Sequence, residues 1–225
     1  MMSETTVFLP VAEAYDRWSG VYDSYDNPMV FGAGQVVQRL ADHVGGQIVV
    51  EFGCGTGRNL LKLKQHGAAK LVGCDLSSGM LDQARTRDPT LVLLHQDMTR
   101  PLPLPDGSAD LVLFSLTLEH VADLVPPMRE ARRLLRAAGR IAIIEIHPFM
   151  SLSNVAAHFR DGGKIVEMPT FPHQFSDYLN AAASSGLQIA ECREWRPRDF
   201  QGPIPNKVLK RGPDFPLLVE FSLRR

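Results

Sequence analysis

The chain has 225 residues, with 24 basic and 25 acidic side chains, a formal net charge of -1 and an apolar fraction of 44%. That length suits one domain with a full core. Balanced charge without a like-charged block speaks against a nucleic-acid partner, because such binding relies on Lys and Arg to neutralise phosphates. Cys54, Cys74 and Cys192 cannot all pair within one chain and form no CxxC, which predicts a reducing, cytoplasmic setting. The opening MMSETTVFLPVAEAYDRW lacks the basic-then-apolar pattern of a signal peptide. No apolar run reaches the roughly 18 residues of a membrane span, so no membrane association is expected.

In chain order, the residues before Ala12 read as frayed, and helices are predicted over Val11 to Trp18 and Gly34 to His43. The second rests on Val36, Val37, Leu40 and Val44 at helical spacing. Gln47 to Phe52 is a short β-branched run of the kind found in buried parallel strands. A helix over Arg58 to His66, a strand over Lys70 to Cys74, a helix over Ser77 to Thr86 and a strand over Leu91 to His95 follow. Ala109 to Ser115 is the next strand. Pro126 to Ala137 reads as an amphipathic helix ended by Gly139, before a strand over Arg140 to Ile146. The alternation predicts an α/β fold, a Rossmann-like, doubly wound, mostly parallel sheet with right-handed crossovers. After a helix over Gln174 to Ser185, the strands Leu187 to Trp195 and Pro216 to Leu223 have no helix between them. They are expected to pair antiparallel at one edge near the C-terminus. His147 to His173 is long and irregular for a strand-to-helix connection. With residues 1–44 as an N-terminal helical cap, this 147–173 insertion is read as a substrate cap on one 1–225 domain.

Glu51 to Gly57, EFGCGTG, lies directly between a strand and a helix. Gly53, Gly55 and Gly57 permit tight turns and close approach of a ligand, and the following helix start favours an anionic ligand group. Asp75 ends the second strand, where a carboxylate can accept both hydroxyls of a ribose. Asp97 follows the third strand and FSLTLEHV follows the fourth. All four points fall at the carboxyl ends of strands, where open α/β sheets bind ligands.

VVEFGCGTGRN, LVGCDLSSGML, HQDM, FSLTLEHV and RRLLRAAGRIAIIE, together with the earlier YDRWSGVYD, resemble the class I S-adenosylmethionine-dependent methyltransferases. The resemblance is greatest to the group containing the ubiquinone and menaquinone pathway enzymes, and it runs from Tyr15 to Pro148. It implies a seven-stranded sheet and S-adenosylmethionine as methyl donor, with S-adenosylhomocysteine as product. It also implies that Glu51, Gly53, Gly55 and Gly57 hold the methionine part and that Asp75 binds the ribose. By the same resemblance Leu76, Met80, Asp97 and Met98 flank the adenine, and Ser115 lies near the sulfonium end. Tyr15, Trp18 or Tyr22 would bring a ring or hydroxyl there, where an aromatic face gains cation–π attraction.

The expected reaction is direct in-line transfer of the methyl group to a small-molecule acceptor, with His120 and His147 as candidate bases if the acceptor must lose a proton. Some relatives bind a divalent metal through an adjacent Glu-His pair and a Glu three residues ahead. Here Glu119 and His120 are present but Leu116 takes the third position, so no metal is expected. Glu145, inside an apolar strand, fits a hydrogen-bonded structural acid as well as a functional one. Phe149, Met150, Phe159, Phe171 and Phe175 suggest an aromatic or apolar acceptor, although core packing explains them too. A glycine loop with a ribose-binding acid also suits a nicotinamide-dependent oxidoreductase, whose usual loop is GxGxxG where this one is GxGxG. A catalytically silent binding module of the same fold is the third reading.

Overall fold

The short β-branched runs of the chain's centre pair into one sheet, and helices between them cover both faces. The computed structural model describes residues 5–151 and 157–225. Seven strands form the main sheet: β2 (Ile48–Phe52), β3 (Lys70–Asp75), β4 (Val92–His95), β5 (Ala109–Ser115), β6 (Leu135–Ile146), β9 (Gln188–Trp195) and β10 (Leu218–Arg224). Their order is β4-β3-β2-β5-β6-β10-β9. The first five run parallel, and β10 is antiparallel to both β6 and β9. Strand order reverses between β2 and β5, which opens a crevice at their carboxyl ends.

Because alternate strand residues point to opposite faces, the sheet feeds two cores. Val49, Leu111 and Leu113 pack with α2 (Pro28–Ala41), α3 (Arg58–Gln65) and α4 (Ser78–Arg87) through Val36, Val37, Leu60, Leu63 and Leu81. Val50, Phe52, Val112 and Phe114 pack with α5 (Val125–Leu134) and α7 (Phe175–Ser184) through Met128, Ala131, Leu134, Tyr178 and Ala182. The buried Glu220 of β10 is paired by the Arg39 guanidinium and by the Trp195 indole N–H, so its charge is compensated.

Four features differ from the sequence reading. Helix α2 starts six residues early, at Pro28, because Asn27 caps it and proline is pre-set for a first helical turn. Gly139 does not end α5: the helix stops at Leu134 and β6 begins at Leu135, with a register shift against β5 near its start. Thr6–Phe8 is not frayed but is strand β1. The insertion is less irregular than expected, with α6 (Pro148–Ser151) and a hairpin of β7 (His158–Asp161) and β8 (Lys164–Glu167) turned by Gly162 and Gly163. Residues 152–156 of the insertion and 1–4 of the cap lie outside the described residues. Strand β1 pairs parallel to β8, so the two cap segments form a second, three-stranded sheet. Beneath it Leu9, Ala14 and Trp18 share a cluster with Phe159, Val166 and Met168. Ala14 and Trp18 belong to α1 (Val11–Trp18), and Trp18 stacks on Phe159 at 4.8 Å between ring centroids.

Phe221 fixes the antiparallel strand to the α7 side; it is buried and lies 5.0 Å from Tyr178 and 6.2 Å from Phe175 between ring centroids. Phe221→Ala is expected to cost about 3–5 kcal/mol, since it removes a buried ring from a close-packed core. Urea denaturation followed by circular dichroism checks this, and a loss below about 1 kcal/mol would show that the core refills.

Candidate active site

Two cavities open at the carboxyl ends of the central strands. The first, of about 610 Å³, is lined by the glycine loop after β2, the ends of β3, β4 and β5, and α1. It brings together Tyr15, Tyr22, Glu51, Gly53, Gly55, Asp75, Leu76, Met80, Asp97, Met98, Ser115 and His120. Trp18, Gly57 and His147 do not line it.

The three glycines of the loop have different duties. All have positive φ, the backbone region L side chains rarely adopt. A Cβ on Gly53 would meet Thr117 Oγ1 at 2.0 Å, so this glycine lets β2 and β5 close together. Gly57 caps α3 and faces Ala84, where a Cβ would approach to 3.1 Å. This packing explains its absence from the cavity wall. A Cβ on Gly55 would meet no protein atom within 4 Å: its open side faces room for a ligand.

Acids surround that space. Glu51 Oε1 accepts from the Asn59 amide at 2.7 Å, while the buried Oε2 has no hydrogen-bond partner among the described residues. Burial pushes the Glu51 carboxyl up to about 8 despite the Asn59 bond, which pulls the other way. An unpaired buried carboxyl oxygen is costly unless a ligand donor meets it. Asp75 accepts from the Gly55 N–H at 2.8 Å and the Ser77 N–H at 2.9 Å, tying the glycine loop to the start of α4. Burial raises its pKa, and these backbone donors oppose the rise. The carboxylate therefore orders the turn and also lines the cavity. Asp97 accepts from the Thr99 N–H and hydroxyl, which shapes the turn after β4.

Cap residue Asp16, which the sequence reading did not single out, joins α1 to this site. Its Oδ1 accepts from Ser77 Oγ at 2.6 Å and from the Gly79 N–H at 2.8 Å. An acid at a helix N-terminus is favoured by the exposed N–H groups there. Nothing local in the sequence marks this residue, because its partners lie some sixty positions away.

Glu145 resolves as the organiser of the turn after β5. Its Oε1 accepts from the Thr117 N–H at 2.9 Å and the Leu118 N–H at 2.8 Å. Leu116, just before them, has φ of 55°, the one positive φ at a non-glycine residue among those described. Such backbone costs of order 1–3 kcal/mol and persists where surrounding bonds hold it. Here Leu116 N–H donates to Ile144 O at 2.9 Å on one side, and Glu145 holds the other.

His120 Nδ1 meets Pro169 O at 2.8 Å, and a carbonyl only accepts, so this nitrogen carries the proton. The Nε2 lone pair then accepts from the Tyr15 hydroxyl at 2.8 Å. Burial holds the His120 pKa below its usual range and the Tyr15 pKa well above its own. His147 is a correction to the sequence reading: it lines neither cavity. Its Nδ1 accepts from the Phe149 N–H, its Nε2 donates to Glu194, and its ring abuts Phe175. The cause is α6, which starts at Pro148 and turns this side chain toward β9.

The second cavity, of about 370 Å³, adjoins the first: Tyr15, Tyr22 and Leu116 line both. Trp18 belongs here rather than in the first, drawn toward Phe159 by stacking. Glu119 also lines it, with a side chain 15% exposed, and burial pushes its carboxyl up to about 8.

The methyltransferase domain family matches residues 50–143, the segment from β2 into β6. The chain is 32% identical over 139 residues to a demethylmenaquinone methyltransferase of Beutenbergia cavernae, covering 60% of this chain and 57% of that relative. It therefore spans little more than half that relative's length. An uncharacterized methyltransferase of Emericella nidulans is 28% identical over 222 residues, covering 81% of this chain and 77% of the relative. An S-adenosylmethionine-dependent methyltransferase structure from Mesorhizobium loti superposes with a TM-score of 0.66 at 24% identity, over 88% of this chain and all of that one. Residues 50–143 thus match the methyltransferase domain, and the chain has the fold of an S-adenosylmethionine-dependent methyltransferase structure. The similarity favours the methyltransferase reading over the nicotinamide one.

Glu145 gives a pH signature. Burial raises its carboxyl from 4.5 to about 7, so the stability it contributes is full below its unfolded pKa and is lost as pH rises through about 7. Glu145→Gln keeps an oxygen acceptor for the Thr117 and Leu118 N–H groups. Urea denaturation at acid and mildly alkaline pH is expected to show a shallower loss of stability for this variant than for the parent. Glu145→Ala leaves two buried donors unmet and is expected to cost about 2–5 kcal/mol at either pH. Equal slopes for parent and Glu145→Gln would show that Glu145 is ionised throughout.

Proposed function

We propose that the chain transfers the methyl group of S-adenosylmethionine to a small-molecule acceptor held in the second cavity. The observation that carries this reading is the first cavity itself. It offers an unpaired, buried Glu51 oxygen, an open face at Gly55, and Asp75 at the end of the neighbouring strand. These fit the ligand group by group. The Glu51 carboxylate suits an ammonium, the Gly55 backbone admits a close-lying chain, and Asp75 suits vicinal hydroxyls. Leu76, Met80 and Met98 suit the faces of a purine, with Asp97 at its amino edge. When bound, S-adenosylmethionine supplies a methyl group already activated by the positive charge on sulfur.

The protein's task is then positioning, which contributes up to about 7–11 kcal/mol in favourable systems. The Tyr15–His120 pair and Ser115 stand at the sulfonium end of the cavity. Leu116, fixed in its strained turn, sets the neck through which acceptor and methyl group meet. The acceptor is taken as small because the second cavity is about 370 Å³ and is walled by aromatic and apolar side chains. Free Cys54, Cys74 and Cys192 suit a reducing, cytoplasmic setting.

Calorimetry tests the reading. S-adenosylmethionine and S-adenosylhomocysteine are expected to bind with micromolar affinity and NADH not at all. Asp75→Ala is expected to weaken both by about a hundredfold, the loss of two hydrogen bonds to a charged group. The free protein's Glu51 holds its proton up to about pH 8, whereas an ammonium beside it favours the ionised form. Binding near neutral pH is therefore expected to release protons, measurable as a dependence of the binding heat on buffer ionisation enthalpy. Binding without proton release would remove Glu51 from the ammonium contact, and no binding of either compound would overturn the proposal.

A further inference from the structure

Resting on that reading, the second cavity also carries information about what the acceptor is. The body of the cavity is apolar, with Trp18, Tyr22, Met29, Met150 and Leu217 among its walls. At the neck next to the first cavity stands Glu119. Its carboxyl has no hydrogen-bond partner among the described residues, and its one ion-pair contact among them is His120 Nε2 at 3.9 Å. His120 itself is committed to Tyr15 and Pro169. Glu119 is therefore an acid at the neck left free to accept a polar hydrogen. The loop between β9 and β10 brings Lys207, Lys210 and Arg211 to the wall of the same cavity, all exposed. Asp26 pairs with Lys207 at 3.2 Å, and Arg211 lies over the Phe215 ring at 5.1 Å. Two cations, Lys210 and Arg211, remain without an acidic partner among the described ion pairs.

We propose that the acceptor is an apolar acid bearing a hydroxyl: the hydroxyl lies at Glu119, the apolar body along Trp18 and Tyr22, and the carboxylate or phosphate at Lys210 and Arg211. Each end has a physical reason. An unpaired carboxyl in a largely apolar wall is costly until a ligand hydroxyl meets it. The uncompensated cations favour an anion, which a neutral molecule of the same shape does not supply. In the reaction the acceptor oxygen forms its bond to the methyl carbon as the carbon–sulfur bond breaks, and the bonding pair stays on sulfur, which becomes neutral. The hydroxyl proton passes to the ionised Glu119 carboxylate and from there to water at the cavity mouth. Glu119 is a catalytic residue in this scheme, whereas His120 positions Tyr15.

The pH dependence follows from the groups facing Glu119. Burial first, then repulsion from Glu145, keeps its proton on up to about 8. Tyr15 and Tyr22 titrate above their usual range and His120 below its own. Asp26, His158, Lys207, Lys210 and Arg211 also line the cavity. Turnover at saturating cofactor is therefore expected to rise with pH through about 8.

The test uses the full chain and a ladder of para-hydroxyphenyl alkanoic acids of increasing chain length. Each is paired with its primary amide and with the matching alkyl phosphate. Calorimetry with S-adenosylhomocysteine present reads binding, and release of S-adenosylhomocysteine reads turnover. At least one acid or phosphate is expected to bind about tenfold more tightly than its neutral partner. Lys210→Gln with Arg211→Gln, both at exposed positions, is expected to erase that preference. Which anion leads separates a carboxylate from a phosphate acceptor. Glu119→Gln is expected to retain binding of S-adenosylhomocysteine and of the acid, to lose about a hundredfold in turnover and to lose the rise through pH 8. Equal binding of acids and amides overturns the anion assignment, as does a preference that survives in the double variant. Unchanged turnover and pH profile in Glu119→Gln overturn the base. Binding of S-adenosylhomocysteine with no acid or phosphate bound refutes the acceptor class alone, whereas failure to bind S-adenosylhomocysteine refutes the methyltransferase reading beneath it.

Discussion

The Glu145 carboxyl, placed in the middle of the sheet, accepts the N–H groups of Thr117 and Leu118 and so fixes the chain as it leaves β5. Much of the site follows from that bond pair. The turn forces Leu116 into positive φ, brings Thr117 against Gly53, and sends Glu119 and His120 to the junction of the two cavities. Without an acceptor there, two buried donors would be unmet, and the strained leucine would have nothing to oppose its relaxation. The acid lies one strand away from the turn that it organises. This arrangement is why a charged residue sits where the β6 pattern calls for an apolar one.

The cap is held by contacts of a different kind. Asp16 seats α1 on the N-terminus of α4, β1 adds to the β7–β8 hairpin, and Trp18 stacks on Phe159. These join the chain's first segment to its insertion, and neither segment lies in the matched methyltransferase domain. The division fits the chemistry. The glycine loop, Glu51, Asp75 and Asp97 line the first cavity from the carboxyl ends of β2, β3 and β4. The second cavity is lined by α1, the insertion and the loop before β10, elements whose composition can change without disturbing the sheet.

Much of the first cavity's lining was legible in the sequence. A β-branched run followed by GxGxG and a helix has few physical readings, and an acid at the end of the next strand narrows them. Tyr15, Asp75, Asp97 and Ser115 do meet in one cavity. What failed did so for specific reasons. Gly139 looked like a helix stop because glycine ends helices, but this one continues a strand beside Ala109 O, where a Cβ would approach to 3.1 Å. His147 follows a strand on the active face, yet α6 rotates it to Glu194. Thr6–Phe8 carries too short a pattern to be read as a strand, because its partner is some 160 residues away.

By itself the sequence determined the sheet, its parallel core, the antiparallel return at the C-terminus and most of the predicted residues that line the first cavity. Those features depend on local periodicity, on glycine's conformational range and on acids at strand ends, all of which are written within a few neighbouring residues. Only the tertiary structure decided which histidine lines the first cavity, that Glu119 stands unpaired at the neck, and that Lys210 and Arg211 share a cavity with Trp18. Those facts depend on which distant segments pack together. Burial and hydrogen-bond pairing belong to the folded chain, and no spacing rule carries them.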